Sequence, residues 1–378
     1  MEGKRPFALA RKFLQVEQFG KRTADHVAHP IRGALRKSGI AFRMGSPISI
    51  DHKNKSIKLD SSEVLDFDYL IVALGSATAD FGIPGVEEHA LGMKSVTEAL
   101  NIRAEVMRRF EDLCRFEDET IFSISVVGGG PTGVEMAGAF AELVRGPLKN
   151  DQAHAAAHIK INLIEAGPRI LPMFSEKLSA RAKTDLEKLG VTVHLNTAVQ
   201  EIKPRKIEIK DGSTIASEVT IWAAGVKGEP TGSLLNLPLV NTRIDVENTL
   251  QVKHYPHIFA IGDIAGLVGE NGRLLPMVAP VAMQQGRHVA KQIKALAAGK
   301  ALKDFKYIDK GSMATIGRHK AIVEVKSLRM VGIPAWYAWL WLHLFYLLGG
   351  RNKIGTMADW TWNYLTFDRG NRHIMDSH

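Results

Sequence analysis

Apolar and polar positions alternate along most of the chain in segments that predict strands followed by helices. The clearest segment is the β-branched run 124–127, which is followed by glycines and then by apolar residues at helical spacing, including Met136, Phe140 and Leu143. Further strands are predicted at 56–59, 68–73, 159–165, 191–195, 199–202, 206–210, 219–223 and 258–261, with helices at 95–111 and 280–296. This alternation predicts an α/β fold made of tandem Rossmann-like units.

Three glycines mark the transition from strand to helix. Gly128, Gly130 and Gly133 form a G-x-G-x-x-G turn, and Pro131 and Thr132 lie between the last two. In such a turn the first glycine permits the tight bend, the second lets the backbone approach a pyrophosphate, and the third lets the helix pack closely. The helix N-terminus adds N–H donors and a partial positive charge. We therefore predict a dinucleotide site, with a purely structural glycine turn as the alternative.

An acidic residue ends the next predicted strand, 159–165. Glu165 can accept hydrogen bonds from the ribose hydroxyls of NAD and repels a 2′-phosphate. It lies further from the glycines than the usual ~20 residues, and we interpret the polar stretch 145–158 as an inserted loop. Arg169 is close in sequence and is the feature that favours NADPH. The sequence predicts NADH as the preferred coenzyme.

Small or acidic residues end two later strands. Ala224 and Gly225 follow the strand 219–223, where they would permit close approach of a ligand or simply form a tight turn. Gly262 and Asp263 follow the strand 258–261, where the acid is either a helix cap or a ligand of a ribityl hydroxyl. The N-terminus of the following helix could stabilise negative charge on a flavin ring.

Composition limits the class of protein. A chain of 378 residues is long enough for two or three domains, and 45% hydrophobic with 24% charged residues is typical of a globular protein. The single cysteine, Cys114, excludes a disulfide within the chain, a dithiol relay and a cysteine-rich metal site. We predict no metal.

The net charge of +9 is concentrated near the end of the chain. Residues 301–378 contain eleven Lys/Arg against six Asp/Glu, together with five of the six tryptophans. Basic residues beside Trp and Tyr fit a membrane interface better than a nucleic-acid groove, so lipid and not nucleic acid is the predicted partner.

An almost wholly apolar stretch of fourteen residues, 335–348, lies within this region. As a helix it would extend ~21 Å, whereas spanning a bilayer takes about 20 such residues. We therefore predict an interfacial helix whose membrane-contacting residues are Trp336, Trp339, Trp341 and Phe345, continued by the aromatic stretch 360–367. A buried core helix and a homodimer interface are the alternatives.

Several segments together resemble one family. VVGGGPTGVEMAGAFAEL, LIEAGPRILP, IWAAGV, IFAIGDIAG, APVAMQQGRHVA and KGSMATIGR occur in this order before the Trp-rich tail. From about residue 28 onward the chain resembles the alternative (type II, non-pumping) NADH:quinone oxidoreductases. The resemblance implies interleaved FAD and NADH domains, a C-terminal membrane-anchoring region, and transfer of a hydride from NADH to FAD and of two electrons to a membrane quinone. It also implies a peripheral location on the cytoplasmic face of a bacterial inner membrane.

The resemblance also assigns site residues. Glu135 is implied near the contact of nicotinamide and flavin, and Lys310 near the flavin and the quinone; a first-turn acid and a solvated lysine are the alternatives. Pro280 stands where some members have a quinone-lining glutamine, so Gln284 is expected to contribute instead. The implied NADH-binding residues are Gly128, Gly130, Pro131, Thr132, Gly133, Glu165, Ala224 and Gly225, and the implied FAD-binding residues are Ala73, Gly75, Gly262, Asp263, Ala279, Pro280 and Val281.

One departure from the family lies at the N-terminus. The family begins with a strand, a G-x-G-x-x-G turn and a helix that bind the FAD pyrophosphate, and residues 1–27 contain no such pattern. We expect a leader of unclear structure at 1–27, an incomplete FAD domain at 28–119 and 246–300, an NADH domain at 120–245 and a quinone and membrane region at 301–378. A truncated, non-catalytic nucleotide-binding relative and a soluble NADH–flavin reductase are the competing hypotheses.

Overall fold

The computed structural model describes residues 7–10, 31–116, 120–346 and 350–366. Its strands are β1 (Phe7–Ala10), β2 (Ala41–Met44), β3 (Pro47–Asp51), β4 (Ser56–Leu59), β5 (Val64–Asp66), β6 (Leu70–Val72), β7 (Ser76–Thr78), β8 (Ala90–Gly92), β9 (Phe122–Val127), β10 (Ile159–Ile164), β11 (Val191–His194), β12 (Val199–Lys203), β13 (Lys206–Ile209), β14 (Thr214–Ala216), β15 (Val219–Trp222), β16 (Val226–Gly228), β17 (Leu239–Val240), β18 (Arg243–Asp245), β19 (Gln251–Val252), β20 (Tyr255–Ala260), β21 (Ala265–Gly266), β22 (Ser312–Gly317), β23 (Lys320–Val325) and β24 (Leu328–Val331).

The helices include those predicted after the glycine turn and near 95–111, 280–296 and 335–348. They are α1 (Ile31–Leu35), α2 (Val86–His89), α3 (Val96–Phe116), α4 (Pro131–Leu143), α5 (Lys149–Asp151), α6 (Ala153–Ala157), α7 (Glu176–Lys188), α8 (Thr231–Leu234), α9 (Ala279–Ala297), α10 (Ile333–Tyr346) and α11 (Gly350–Thr366), with a π-helical turn at Val144–Leu148 and a 3-10 turn at Gly262–Ile264.

The described residues divide into two compact units. The first unit contains residues 7–10, 31–79 and 226–310, and the second contains 80–116, 120–225, 311–346 and 350–366. The chain leaves the first unit just after β7 and re-enters it at the start of β16. These two strands pair antiparallel with each other. These borders differ from the predicted domains, because 80–116 lies with the NADH-side sheet and 226–245 does not.

The second unit is built on a five-stranded sheet of order β11-β10-β9-β15-β8, in which every neighbouring pair is parallel. All six residues of the central strand β9 are buried. Parallel sheets are covered on both faces, which explains why every position of this strand is buried, Ser123 and Ser125 included. The amphipathic helix α3 adds Ile102, Val106 and Phe110 to the same core.

A small antiparallel sheet, β22-β23-β24, belongs to the same unit. It lies against α4 at Gly138, where an added Cβ would stand 1.9 Å from the carbonyl oxygen of Ile316. Helix and strand therefore touch through their backbones. The predicted region 301–378 is divided, because residues from 311 onward pack with the second unit and 301–310 with the first.

The first unit combines several small sheets around a core centred on Phe259, Ile258 and Val289. β20 pairs with β6 in parallel, which brings their carboxyl ends to one edge. β1 also pairs in parallel with β2, Phe7 opposite Ala41. Residues 1–27 were expected to be a leader of unclear structure, and β1 gives part of that segment a defined strand; the basic residues around these four apolar positions concealed the strand in the sequence. The rest of 1–27 lies outside the described residues.

The stretch 145–158 is not the predicted loop. It continues α4 through the π-helical turn into α5 and α6, and Ala155 and Ala156 are buried in the core of the second unit. Its polar composition concealed the helical pattern, because only four of its positions, Pro147, Leu148, Ala155 and Ala156, are buried. Part of the predicted aromatic stretch 360–367 lies in α11, and residue 367 is outside the described residues.

Candidate functional site

The glycine turn at the end of β9 has the geometry that the sequence predicts. Gly128 has φ +114°, and a Cβ there would lie 2.5 Å from the carbonyl oxygen of Ala223. A Cβ on Gly133 would lie 1.8 Å from the carbonyl oxygen of Gly128. Gly130 caps α4, and nothing lies within 4 Å of its Cβ position. The turn thus needs glycine at two positions for packing and is open at the third, where a pyrophosphate is expected.

The start of α4 is preorganised as a helix end. Pro131 occupies its first turn, where the missing N–H is one that the helix would leave unpaired in any case. Thr132 is exposed, and the N–H of Val134 donates to the carbonyl oxygen of Gly130. The positive end of the helix dipole therefore faces the open side of the turn.

Glu165 follows β10 and lies directly beside the turn. Its Oε2 accepts the N–H of Gly129 and its Oε1 accepts the N–H of Gly167, both at 2.6 Å. The side chain is half-buried. The structure therefore places the predicted ribose ligand against the glycine turn, although 36 residues separate Glu165 from Gly129.

Arg169, whose position in the sequence favoured NADPH, is held by the loop that follows β10. Its guanidinium donates to the carbonyl oxygens of Phe174 and Pro172, each at 3.0 Å. Both hydrogen bonds hold the loop that follows β10. The one feature that favoured NADPH is therefore engaged in local structure.

At the end of β15 the structure adds a residue that the sequence did not point to. Ala224 is exposed, and a Cβ on Gly225 would lie 2.8 Å from the ring of Phe81. Phe81 is 65% exposed and has φ +54°. Gly225 thus leaves room for this ring, and no local pattern predicts the pairing.

Glu135, predicted near the nicotinamide, lies on the face of α4 that meets β22. Its Oε1 accepts the N–H of Thr315 at 3.1 Å, and Glu142, two helical turns further on, accepts the N–H of Arg318. Two acids of one helix therefore bind the backbone of β22 and of the residue that follows it. Glu135 therefore also attaches α4 to β22, which the sequence did not predict.

In the first unit, Asp263 follows β20 at the edge where β6 also ends. Its carboxylate accepts the hydroxyl of Ser76 at 2.6 Å. Gly75 and Gly262 have φ +79° and +74°, so both turns use the left-handed conformation that glycine adopts without strain. The N–H of Gly262 donates to Oε1 of the fully buried Gln285 at 2.6 Å.

Arg243 holds the same turn from β18. It is 3% exposed and donates to the carbonyl oxygens of Leu275, at 2.7 Å, and Ala265. Burial lowers the pKa of its guanidinium, and the negative charge of Asp263 opposes that shift. The pair places a buried positive charge next to the predicted ribityl ligand.

The residues of this edge fit a polar cofactor such as FAD. Nε2 of Gln285 and Nε of Arg243 are buried and have no hydrogen-bond partner among the described residues. Buried N–H groups are normally satisfied, so donors left over beside an open strand edge suit the polar groups of a ligand. Gln285 and Arg243 were missed by the sequence analysis, because nothing local distinguishes them from other helix and strand residues.

The N-terminus of α9 is partly satisfied by its own backbone. Ala279 and Pro280 form its first turn and Val281 is buried. The carbonyl oxygen of Val278 accepts the N–H of Val281 at 3.1 Å and that of Ala282 at 3.3 Å. The helix end therefore acts on a flavin mainly through its dipole, since Pro280 carries no N–H. Ala73, also assigned to FAD, is exposed at the end of β6.

Gln284 does not present a free amide. Its Nε2 donates to the carbonyl oxygen of Ile308 at 2.9 Å, and its Oε1 accepts the N–H of Ile308 at 3.1 Å. The role of Gln284 at a quinone site stays a prediction, with one N–H and one lone pair of its amide left beyond these two bonds. Gln284 holds the segment that leads to Lys310, which is exposed.

The aromatic helix α10 has two apolar faces. Trp336 and Trp339 are 7% and 2% exposed, and Trp336 packs in a cluster with Ala321 and Val323 of β23. Trp341 and Phe345 are 70% and 73% exposed. The prediction that all four contact lipid is therefore wrong for Trp336 and Trp339, which cover the sheet.

None of the described helices combines the length and the apolarity needed to cross a bilayer. The described His, Cys, Asp and Glu side chains likewise form no group of three that could hold a metal ion.

Residues 8–286 match the family model of the pyridine nucleotide-disulphide oxidoreductases. Type II NADH:quinone oxidoreductase Ndh of Mycobacterium tuberculosis is 35% identical over 372 residues, which cover 93% of this chain and 79% of that protein. The type II NADH:quinone oxidoreductase of Haemophilus influenzae is 31% identical, with 88% of this chain and 82% of that protein covered.

Solved structures show the same fold at lower identity. NDH2 from Plasmodium falciparum in complex with NADH has a TM-score of 0.86 at 20% identity, covering 94% of this chain and 90% of that chain. The sulfide:quinone oxidoreductase of Aquifex aeolicus has a TM-score of 0.72 at 17% identity, covering 96% of this chain and 89% of that chain.

Proposed function

The chain belongs to the type II NADH:quinone oxidoreductases, within the pyridine nucleotide-disulphide oxidoreductase family, and we propose that it is an FAD-dependent enzyme that oxidises NADH and reduces a quinone at a membrane surface. The observation that carries the coenzyme assignment is the Glu165 carboxylate held against the open glycine turn of the second unit.

NADH is bound by the second unit. The N–H groups at the start of α4 and the space above Gly130 receive the pyrophosphate, and Glu165 receives the adenosine ribose. Pro131, Thr132, Ala224 and Gly225 line the same edge of the sheet. The protein contributes the orientation of NADH, because a coenzyme bound at a fixed position reacts within the complex and not by a bimolecular encounter.

FAD, when bound, supplies the chemistry that accepts a hydride from NADH and passes two electrons to the quinone. Asp263 is positioned by Ser76 to receive ribityl hydroxyls, and the spare N–H groups of Gln285 and Arg243 are available for the cofactor's polar atoms. The dipole of α9 stabilises negative charge on the ring. Glu135 and Lys310 are the proposed groups for positioning and proton supply.

The exposed residues of α10 are the proposed membrane contact. Tyr337, Trp341 and Phe345 recur every four residues and are all exposed, which places them on one side of the helix. Exposed aromatic and apolar groups of this kind mark membrane or protein interaction sites, and nearby Lys and Arg favour anionic lipid. We place the enzyme on the cytoplasmic face of a bacterial inner membrane, where NADH and quinone are both accessible.

A homodimer formed through the same face of α10 is the competing use of these residues. Sedimentation of the detergent-free protein, with and without vesicles, separates the two. Vesicle binding by the monomer supports the membrane contact, and a stable dimer that ignores vesicles contradicts it.

The function is tested by incubating the full chain with FAD, desalting it and recording the visible flavin spectrum. We expect a retained flavin band that bleaches on addition of NADH and returns on addition of a quinone in vesicles. Loss of the band on desalting would contradict the FAD assignment and favour a non-catalytic nucleotide-binding relative. A band that bleaches but returns only with soluble acceptors would favour a soluble flavin reductase.

A further inference from the structure

The Glu165 carboxylate lies between two glycines that are distant in sequence from each other. Oε2 accepts the N–H of Gly129 and Oε1 accepts the N–H of Gly167, each at 2.6 Å. Each oxygen thus has one strong, charge-assisted bond to the backbone. The remaining lone pairs of the carboxylate stay available for hydroxyl groups of a ligand.

Neither glycine is required by its own backbone conformation. Gly128 has a positive φ, whereas Gly129 and Gly167 do not. What excludes a side chain at these two positions is the carboxylate. A Cβ on Gly129 would lie 2.7 Å from Oε2 of Glu165, and a Cβ on Gly167 would lie 3.0 Å from Oε1.

We propose that Gly129 and Gly167 form a backbone clip that determines coenzyme specificity by immobilising Glu165. This inference rests on the proposed function, because it concerns the NADH site of that enzyme. An unrestrained glutamate could rotate away from a 2′-phosphate at little cost. A carboxylate pinned at both oxygens keeps its charge where the phosphate of NADPH would lie, and like charges in such proximity repel strongly.

The clip also explains how an acid is kept close to a site built for phosphate. The backbone N–H groups of this turn can donate hydrogen bonds to anions, and the pyrophosphate of bound NADH would lie at the neighbouring residues. Glu165 occupies the N–H groups of Gly129 and Gly167, so these donors are withheld from a 2′-phosphate. Gly129 and Gly167 are therefore positioning residues that act through Glu165.

The test uses the FAD-loaded full chain and measures the dissociation constants of NAD⁺ and NADP⁺ by titration calorimetry, so that no hydride is transferred. We expect G129A and G167A each to weaken NAD⁺ binding about tenfold, because the added methyl group displaces the Glu165 carboxylate and one charge-assisted hydrogen bond is lost. The affinity for NADP⁺ is expected to change much less. The preference for NAD⁺ then falls by a similar factor. G146A is the matched control, because nothing lies within 4 Å of the Cβ position of Gly146.

Combination with E165Q separates the clip from general damage to the site. If the glycines act through Glu165, then G129A and G167A add nothing to the change in preference that E165Q produces alone. If G129A fails to fold, E165D tests the clip in its place. The shorter aspartate side chain cannot reach both N–H groups, so E165D is expected to lower the preference for NAD⁺ over NADP⁺ as well.

An unchanged preference in G167A and E165D overturns the clip while leaving the proposed function intact, provided that the unaltered protein binds NAD⁺. Failure of the unaltered protein to bind either coenzyme overturns both. A fall in preference that is additive with E165Q also overturns the clip, because the glycines would then act independently of the carboxylate.

Discussion

Acidic side chains of the second unit are held by backbone N–H groups. Glu165 accepts one such bond from the distant Gly129 and one from Gly167, two residues away, and Glu135 accepts one from Thr315. A carboxylate held in this way needs no cationic partner, and its direction is fixed by secondary structure that the chain has already formed. A single side chain, Glu165, can therefore be held in one orientation at the nucleotide site.

E165Q tests the charge of this carboxylate. The amide has a single acceptor oxygen, so one of the two N–H groups loses its partner and faces an NH₂ group. We expect the ratio of kcat/KM for NADH to that for NADPH to fall about tenfold or more, because the repulsion of a 2′-phosphate is also lost.

E187Q, at a carboxylate exposed on α7, is the control for loss of one negative charge on the protein. A ratio that is the same in E165Q and E187Q would remove Glu165 from the ribose site.

At the scale of elements, the contact of α4 with β22 joins the nucleotide-binding helix to the C-terminal sheet. Gly138 lets the two backbones touch, Glu135 binds an N–H group of β22, and Glu142 binds the N–H of Arg318 just after that strand. The contact therefore combines close packing with hydrogen bonds along one helix face.

G138A is expected to destabilise this contact. Its Cβ would lie 1.9 Å from the carbonyl oxygen of Ile316, and backbone on both sides leaves little room to relax. We expect the free energy of unfolding to fall by about 1–3 kcal/mol, the usual cost of overpacking, as measured by urea denaturation. G146A, at an open position, should change it far less; equal values for the two variants would contradict the packing described for Gly138.

A histidine at the end of β11, His194, is expected to make the stability of the second unit depend on pH. Burial lowers the pKa of His194, whose ring contacts the side-chain oxygen of Asn162 at 3.2 Å. The unfolded chain therefore takes up this proton at a higher pH than the folded protein. The stability that neutral His194 contributes is complete above about pH 6.5 and decreases as the pH falls below it.

H194Q keeps a polar group beside Asn162 but cannot titrate. We expect its free energy of unfolding to fall less than that of the unaltered protein between about pH 7.5 and about pH 5.5. His288, whose pKa is also lowered by burial, is present in both proteins and cancels in the comparison. Identical pH profiles would show that His194 is not a source of the dependence.

At the scale of the whole molecule, the exposed face of α10 and the basic C-terminal region are the features that relate the protein to its surroundings. Trp341 and Phe345 are more exposed than most apolar residues of the chain. Trp336 and Trp339, on the opposite face, are part of the interior. A deletion of 336–348 would therefore disturb the core, and substitutions on the exposed face are the sharper test.

The double variant W341S/F345S is expected to lose most of its binding to anionic vesicles while keeping its coenzyme affinity. The reason is the loss of large apolar groups that insert at the interface. Co-sedimentation with vesicles measures the effect, and L234S, at an exposed leucine of α8, is the control. Undiminished binding by the double variant would show that α10 is not the contact.

Periodicity and spacing determined the elements of this protein. The buried strand β9, the glycine turn and α4 follow from local pattern, because the apolar β-branched residues of the strand end abruptly at a turn that admits only glycine at Gly128. The α/β class and the family were also predictable, since the characteristic segments are contiguous in sequence. β1 and the helices within 145–158 were not predicted, because basic residues surround the first and exposed polar residues dominate the second.

Only the tertiary structure decided which groups meet. Both faces of α10 are apolar, so periodicity could not show that β23 covers Trp336 and leaves Trp341 exposed. The partners of Gln284 and Glu165 lie 24 and 36 residues away from them, and no local pattern encodes a hydrogen bond over such a separation. The sequence therefore determined the strands, the turn and the helix, and packing between distant segments determined where each side chain is held.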